Sequence, residues 1–273
     1  MKNNKYKILV LSDLKEKTNS TLKNAISLSK MIGANIEFFH VKKPIDIVET
    51  DSQLSAIRTI NKEYIVIKKK IQNLIEPISK DYNVNISRSF AFGNLKSEIE
   101  NYIKVSQPDV IVLGKRNHKP LSFIRENITD FVLNVHKGAV LIVSDTYGLE
   151  PNEEFILGFF NNEKQLLSLN FTNELIGHTN LPLKSFRIVD KTNCNKEKLI
   201  STTNKTVDYV FEKSDSAFNT LSSYLIKNKV NLLCINRESN IEKQSIIKSE
   251  INNIINKVSV SLFLTNERHI ITN

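Results

Sequence analysis

The chain has 273 residues, enough for two ordinary domains with a substantial core, and carries a formal net charge of +9. No stretch reaches the roughly 18 consecutive apolar residues of a membrane span, and the polar start Met1–Lys5 runs directly into a strand without an apolar signal region. The expectation is therefore a cytoplasmic protein.

The two cysteines, Cys194 and Cys234, argue against a disulfide scaffold or a cysteine metal site. Before Pro151 there are 23 Lys and Arg against 16 Asp and Glu, a surplus of +7, but they are scattered. Lys68-Lys69-Lys70 is the one basic cluster, and no aromatic interleaving or Gly-Arg repeat accompanies it. It reads as a solvated helix face, so nucleic acid is not an expected partner.

Tyr6–Leu11 is the first strand, followed by Ser12 and Asp13. Thr18-Asn19-Ser20 offers caps for a helix from about 21 to 32, with Gly33 ending it. Ile36–Val41 is the second strand. A long helix over about 52–80 carries Leu54, Ile57, Ile60, Ile67, Ile71 and Ile75, with a break expected near Pro77. Val84–Phe92 is the third strand, and Leu95, Ile99 and Ile103 mark a further helix up to Pro108. Val110–Leu113 is a continuous β-branched run ending at Gly114, as in a parallel strand covered on both faces. Helical spacing resumes over Phe123, Ile124, Ile128, Phe131, Val132 and Val135, and Ala139–Val143 is the fifth strand.

This alternation predicts an α/β fold with a mostly parallel five-stranded sheet and helices on both faces. The 114–127 loop then lies at the carboxyl end of a parallel strand and before a helix N-terminus. Phosphate-bearing ligands bind at such places, because free N–H groups and the helix dipole point there.

The stretch from Gly93 to Val143, with Gly93 and Asp109–Gly114, resembles the universal stress protein family, and the resemblance extends over Lys7–Val143. It implies a Rossmann-like fold of the adenine nucleotide α-hydrolase type. It also implies a nucleotide crevice with Asp13 and Val41 at the nucleoside and Gly114, Arg116, Asn117, Asn127 and Ile128 around the phosphates. The family motif, Gly-x-x-Gly, nine residues and Gly-Ser/Thr, is incomplete: Asn117 and Asn127 stand for glycines, and Ile128 for the hydroxyl residue. Lys115, Arg116, Lys119 or Arg125 could supply charge to a phosphate. The plain alternative is a loop that only joins strand to helix, with Asp13 capping the turn after it.

Asp145–Glu154 reads as a linker, after which the pattern begins again. Adding 122 to the numbers superposes the apolar pattern without a gap: Val110–Leu113 fall on Leu232–Ile235, and Val140–Ile142 on Leu262–Leu264. The expected organisation is residues 1–145, a linker over 146–152, and a degenerate copy over 153–273. The copy has no room for the long helix between Val189 and Val207, and places Asn161 for Asp13, Asn236 for Gly114 and Ser239 for Asn117. Family domains resemble one another in dimerising along the fifth strand, so Ala139–Val143 and Ser261–Thr265 are expected to pair antiparallel within the chain.

None of His40, His118, His136, His178 and His269 stands in a metal-binding arrangement, and no nucleophile elbow is present. The expected function is a non-catalytic universal stress protein acting through binding or assembly, with no cofactor required. The rivals are an ATP- or AMP-binding sensor using the first crevice, and a weak ATP hydrolase. A homodimer is a further partner the reading admits.

Overall fold

The computed structural model describes residues 5–43, 53–115, 127–161, 170–190, 206–237 and 244–265, with the backbone alone at 53–56, 170–171 and 244–249. The first half runs β1 (Tyr6–Ser12), α1 (Thr18–Ile32), β2 (Ala34–Lys42), α2 (Gln53–Tyr82) and β3 (Ile86–Phe92). It continues with α3 (Leu95–Ser106), β4 (Val110–Gly114), α4 (Ile128–Val135) and β5 (Ala139–Val143). The second half gives β6 (Leu157–Phe160), α5 (Asn170–Ile176), β7 (Leu183–Val189) and β8 (Thr206–Glu212). It ends with α6 (Ala217–Lys227), β9 (Leu232–Asn236), α7 (Gln244–Lys257) and β10 (Ser261–Thr265).

All ten strands form one sheet, in the order β3-β2-β1-β4-β5-β10-β9-β6-β7-β8. Each half has the same internal order, and every pairing within a half is parallel. Among the described residues the single antiparallel strand pairing is the one between the halves, with Leu141 opposite Phe263. The expected meeting of the two fifth strands is thus observed, and the two five-stranded sheets are one continuous sheet.

The buried strands follow from their sequence. β4, β5, β9 and β10 are near-continuous runs of Val, Ile, Leu and Phe, buried on both faces. Alternate residues feed two apolar layers. One face carries Val10, Val112, Leu141, Cys234 and Phe263; the other carries Leu9, Ile111, Ile142, Leu233 and Leu262. Each layer spans both halves. A fully buried Leu or Phe contributes about 1.5–3 kcal/mol of transfer free energy, so the shared layers join the halves in addition to the ladder.

The offset of 122 is kept by β4 and β9, by β5 and β10, and by the starts of α3 and α6. It is not kept at the first strand. Ile8–Leu11 pair with Val110–Leu113, and Leu157–Phe160 with Leu232–Ile235, so Phe160 is the counterpart of Leu11. Asn161 therefore stands level with Ser12 and not with Asp13, one residue away from where the sequence comparison put it.

Two local expectations are corrected. α1 starts at Thr18 with Lys17 in the cap position, making no side-chain cap bond; Asn19 and Ser20 lie inside the helix. Gly33 does end it, at φ 66°, the left-handed conformation that glycine adopts without strain. α2 continues unbroken through Pro77 to Tyr82. Burial of Ile71 and Ile75 before the proline, with Ile78 packed against the core after it, outweighs the one lost helical hydrogen bond.

Candidate functional site

β1 and β4 are neighbours although two other strands separate them in sequence, so the chain reverses its strand order between them. That switch point opens a crevice beyond their carboxyl ends. Ser12, Asp13, Gly114 and Lys115 stand there, with the end of β2 alongside.

The turn after β1 satisfies itself. Ser12 Oγ is 2.8 Å from Thr18 Oγ1 and accepts the Leu14 N–H at 3.0 Å. Asp13 Oδ1 accepts the Lys15 N–H at 3.2 Å, so the carboxylate caps the turn, as the plain alternative has it. His40, buried at the end of β2, donates from Nδ1 to the Ser12 carbonyl at 2.8 Å. Burial pushes its pKa below the ordinary histidine value, against the raising effects of that bond and of Asp13.

Gly114 has a packing reason to be glycine. A Cβ there would lie 2.9 Å from Thr21 Oγ1, inside any normal contact distance, so α1 sits close over the end of β4. Val41 and Ile128 both lie in one apolar layer with Leu11 and Leu113. The Ile128 side chain is thus part of the core at the base of α4. Asn127 is the N-cap of α4: its Oδ1 accepts the Asp130 N–H at 3.1 Å, and its amide meets the Asp130 carboxylate at 2.5 Å. Its backbone, at φ −75°, is not left-handed. Arg116, Asn117, Lys119 and Arg125 lie outside the described residues.

Lys115 leaves the crevice altogether. Its ammonium donates to the Val258 carbonyl, just past the end of α7 in the other half. Burial is the main cause holding its pKa below the usual lysine value, with Lys17 acting in the same direction. Lys17 in turn pairs with the Asp145 carboxylate and donates to the Lys115 carbonyl at 3.3 Å.

The second half mirrors this. Arg237, which is Lys115 plus 122, donates to the carbonyls of Leu133 at 3.1 Å, His136 at 3.2 Å and Gly138. Val258 is likewise His136 plus 122. Each half therefore sends a cation from the end of its fourth strand to the carboxyl end of the other half's last helix, where unpaired carbonyls and the helix dipole favour positive charge. The sequence held a signal for this: the constant offset sets Arg237 on Lys115, two cations directly after matching strands.

A buried knot joins the same seam. Asn24 Oδ1 accepts the Leu149 N–H at 2.7 Å and the Ser261 hydroxyl at 3.3 Å, and Ser261 Oγ accepts the Ser144 N–H at 3.0 Å. Sequence reasoning missed it, since nothing in an amphipathic helix marks Asn24 as turned inward.

A model of the universal stress protein family matches residues 6–144, half of the chain. The chain belongs to that family. The Asp109 that carries the resemblance is structural: its carboxylate accepts the Lys7 N–H at 2.8 Å and ties the start of β4 to β1. A universal stress protein from Archaeoglobus fulgidus is similar over 96% of this chain and 96% of its own, at 14% identity and a TM-score of 0.66. A functionally unknown protein from Pseudomonas aeruginosa is similar over 96% and 92%, at 12% identity and a TM-score of 0.56. A universal stress protein solved in complex with cAMP is similar over 50% of this chain and 95% of its own, at 15% identity and a TM-score of 0.34. No curated protein matches the sequence.

Among the described residues no group of His, Cys, Asp and Glu is placed to hold a metal ion, and no helix is long and apolar enough to cross a membrane. Cys234 is fully buried, and burial pushes its thiol far above the reactive range.

Proposed function

We propose that this universal stress protein is non-catalytic and cytoplasmic, and acts through binding or assembly. In this reading residues 1–145 and 153–273 are two family domains joined by 146–152, and together they make one dimer-like unit. The observation that carries it is Lys115. The cation nearest the crevice glycine is spent on a carbonyl of the other half. Ile128 in the core and Asn127 at its cap support the same reading, since neither side chain is left to meet a phosphate.

The second reading is an ATP or AMP sensor, with Asp13 and Val41 at the nucleoside and Gly114, Asn117 and Asn127 around the phosphates. It is favoured by one feature: an exposed carboxylate, Asp13, and a glycine, Gly114, both follow directly on the paired ends of β1 and β4 at the switch point. Calorimetric titration with ATP and with AMP, alongside phosphate release, tests both. The proposal expects no phosphate release and no saturable heat. Saturable heat at micromolar ATP would transfer the conclusion to the sensor, and steady turnover to the hydrolase.

A further inference from the structure

α2 is longer than what it packs on. Its thirty residues span about 45 Å, whereas β3 spans about 23 Å. Ile67, Ile71 and Ile75 in its carboxyl half are buried against the sheet. Tyr64 lies level with Phe90, the rings 4.8 Å apart, and Phe92 ends the strand two residues later. The amino half of α2 therefore overhangs the carboxyl edge of the sheet.

The apolar stripe does not stop where the sheet does. Ile57, Ile60 and Tyr64 continue the line of Ile67 and Ile71 at helical spacing. They are 54%, 39% and 48% exposed, where Ile67 and Ile71 are 5% and 1%. At the foot of the overhang a cleft of about 270 Å³ opens between α2 and β3, lined by Tyr64, Lys68, Ile71, Arg88, Ser89 and Phe90. An apolar stripe thus runs down to a pocket lined by two aromatic rings and two cations, Lys68 and Arg88, the latter 3.7 Å from the Glu76 carboxylate.

We infer that this overhang docks an acidic amphipathic helix of a partner protein, its apolar face on Ile57, Ile60 and Tyr64 and one bulky side chain in the cleft. Charge selects the occupant. Residues 53–70 hold Arg58, Lys62, Lys68, Lys69 and Lys70 against Glu63, a net +4. A second copy would set +4 against +4, whereas a carboxylate-flanked helix finds Arg58, Lys62 and the Lys68–Lys70 cluster along the helix. Geometry disfavours a bilayer: the stripe lies in line with buried Ile67 and Ile71, on the side of α2 turned toward the sheet and not on its outer face. Ile65 and Val66, also exposed, lie off that line.

The inference rests on the reading of a protein that works by binding, but not on the crevice. A nucleotide titration that overturned the non-catalytic reading would leave the α2 surface as it is, and the reverse also holds.

The test uses the full chain and two labelled helical peptides with the same leucine stripe at i, i+3 and i+7, one flanked by glutamates and one by lysines. Fluorescence anisotropy is expected to show saturable binding of the glutamate peptide alone. That binding should weaken with added salt and by about tenfold in Ile60→Asp. Ile57→Asp, further from the sheet, is read in place of Ile60→Asp if the latter lowers the unfolding temperature. Equal binding of both peptides, no binding of either, or no effect of the substitution overturns the inference. Sedimentation supplies the remaining arms. A dimer dissolved by Ile60→Asp would assign the surface to a second copy, and co-sedimentation with phosphatidylserine vesicles lost in the same variant would assign it to a membrane; each overturns the acidic-helix inference.

Discussion

Lys115 and Arg237 occupy matching places in the two halves and perform matching tasks unequally. Lys115 gives one hydrogen bond to Val258, while Arg237 gives three, to Leu133, His136 and Gly138. A lysine ammonium is a point charge on a flexible stem, and an arginine fork can span several carbonyls at once. The clasp from the second half, which has Asn236 in place of the loop glycine, therefore makes more hydrogen bonds across the seam than the clasp from the first. In both halves the cation directly after the fourth strand is used at the seam, and it makes more hydrogen bonds in the copy further from the family motif.

The largest expected effect tests whether the halves are one folding unit. Phe263 is fully buried and stands opposite Leu141 across the antiparallel pairing. Phe263→Ala is expected to cost about 3–5 kcal/mol, and urea unfolding followed by circular dichroism should remain a single transition with a lower midpoint. Two separated transitions would show that the halves fold independently and that the seam is only a contact.

Next come the clasps. Arg237→Ala should lie at the upper end of the roughly 1.5–3 kcal/mol typical of hydrogen bonds to charged groups, and Lys115→Ala at the lower end. The same urea measurement checks the order. Equal losses, or a larger one for Lys115, would break the asymmetry.

Much of this architecture was legible in the sequence, for a stated reason. β4, β5, β9 and β10 are buried on both faces, so their composition announces them and the offset of 122 aligns them. The helix over Pro77 was not legible, because its continuity depends on apolar contacts made elsewhere in the sheet. The displaced counterpart of Asp13 was hidden too, since β6 has only four residues and its register is set by β9 rather than by its own pattern. The candidate site divides in the same way. Asp13, Gly114, Asn127 and Ile128 were recognisable by position, but whether a side chain faces a ligand or a carbonyl in the other half is not encoded in periodicity. Lys115 and Val258 are 143 residues apart, and only folding brings them together.

A smaller effect separates the β1 turn from the seam. His40 has its pKa held below the ordinary histidine value by burial, so the unfolded chain binds the proton more readily. Its contribution is complete above the unfolded value of about 6.5 and is lost as pH falls from there through the folded value. The groups that act on it are Asp13, which favours the charged form, and Lys42 and Lys70, which oppose it. Stability measured between about pH 7 and pH 5 should fall less steeply in His40→Gln than in the wild type. An unchanged slope would assign the acid sensitivity to other groups.

The smallest concerns Gly114. Gly114→Ala should cost on the order of 1 kcal/mol through the close contact with Thr21, and Thr21→Ala should recover most of that loss. No recovery in the double variant would mean that the glycine serves something other than helix packing.

The central claim is that Lys115 belongs to the seam and not to a phosphate. Scanning calorimetry of the wild type and Lys115→Ala, each with and without excess ATP, tests it most directly. The account predicts a lower unfolding temperature for Lys115→Ala in both conditions, and no shift by ATP in either protein. An ATP-induced rise in the wild type that disappears in Lys115→Ala, with the ligand-free temperatures equal, would contradict it.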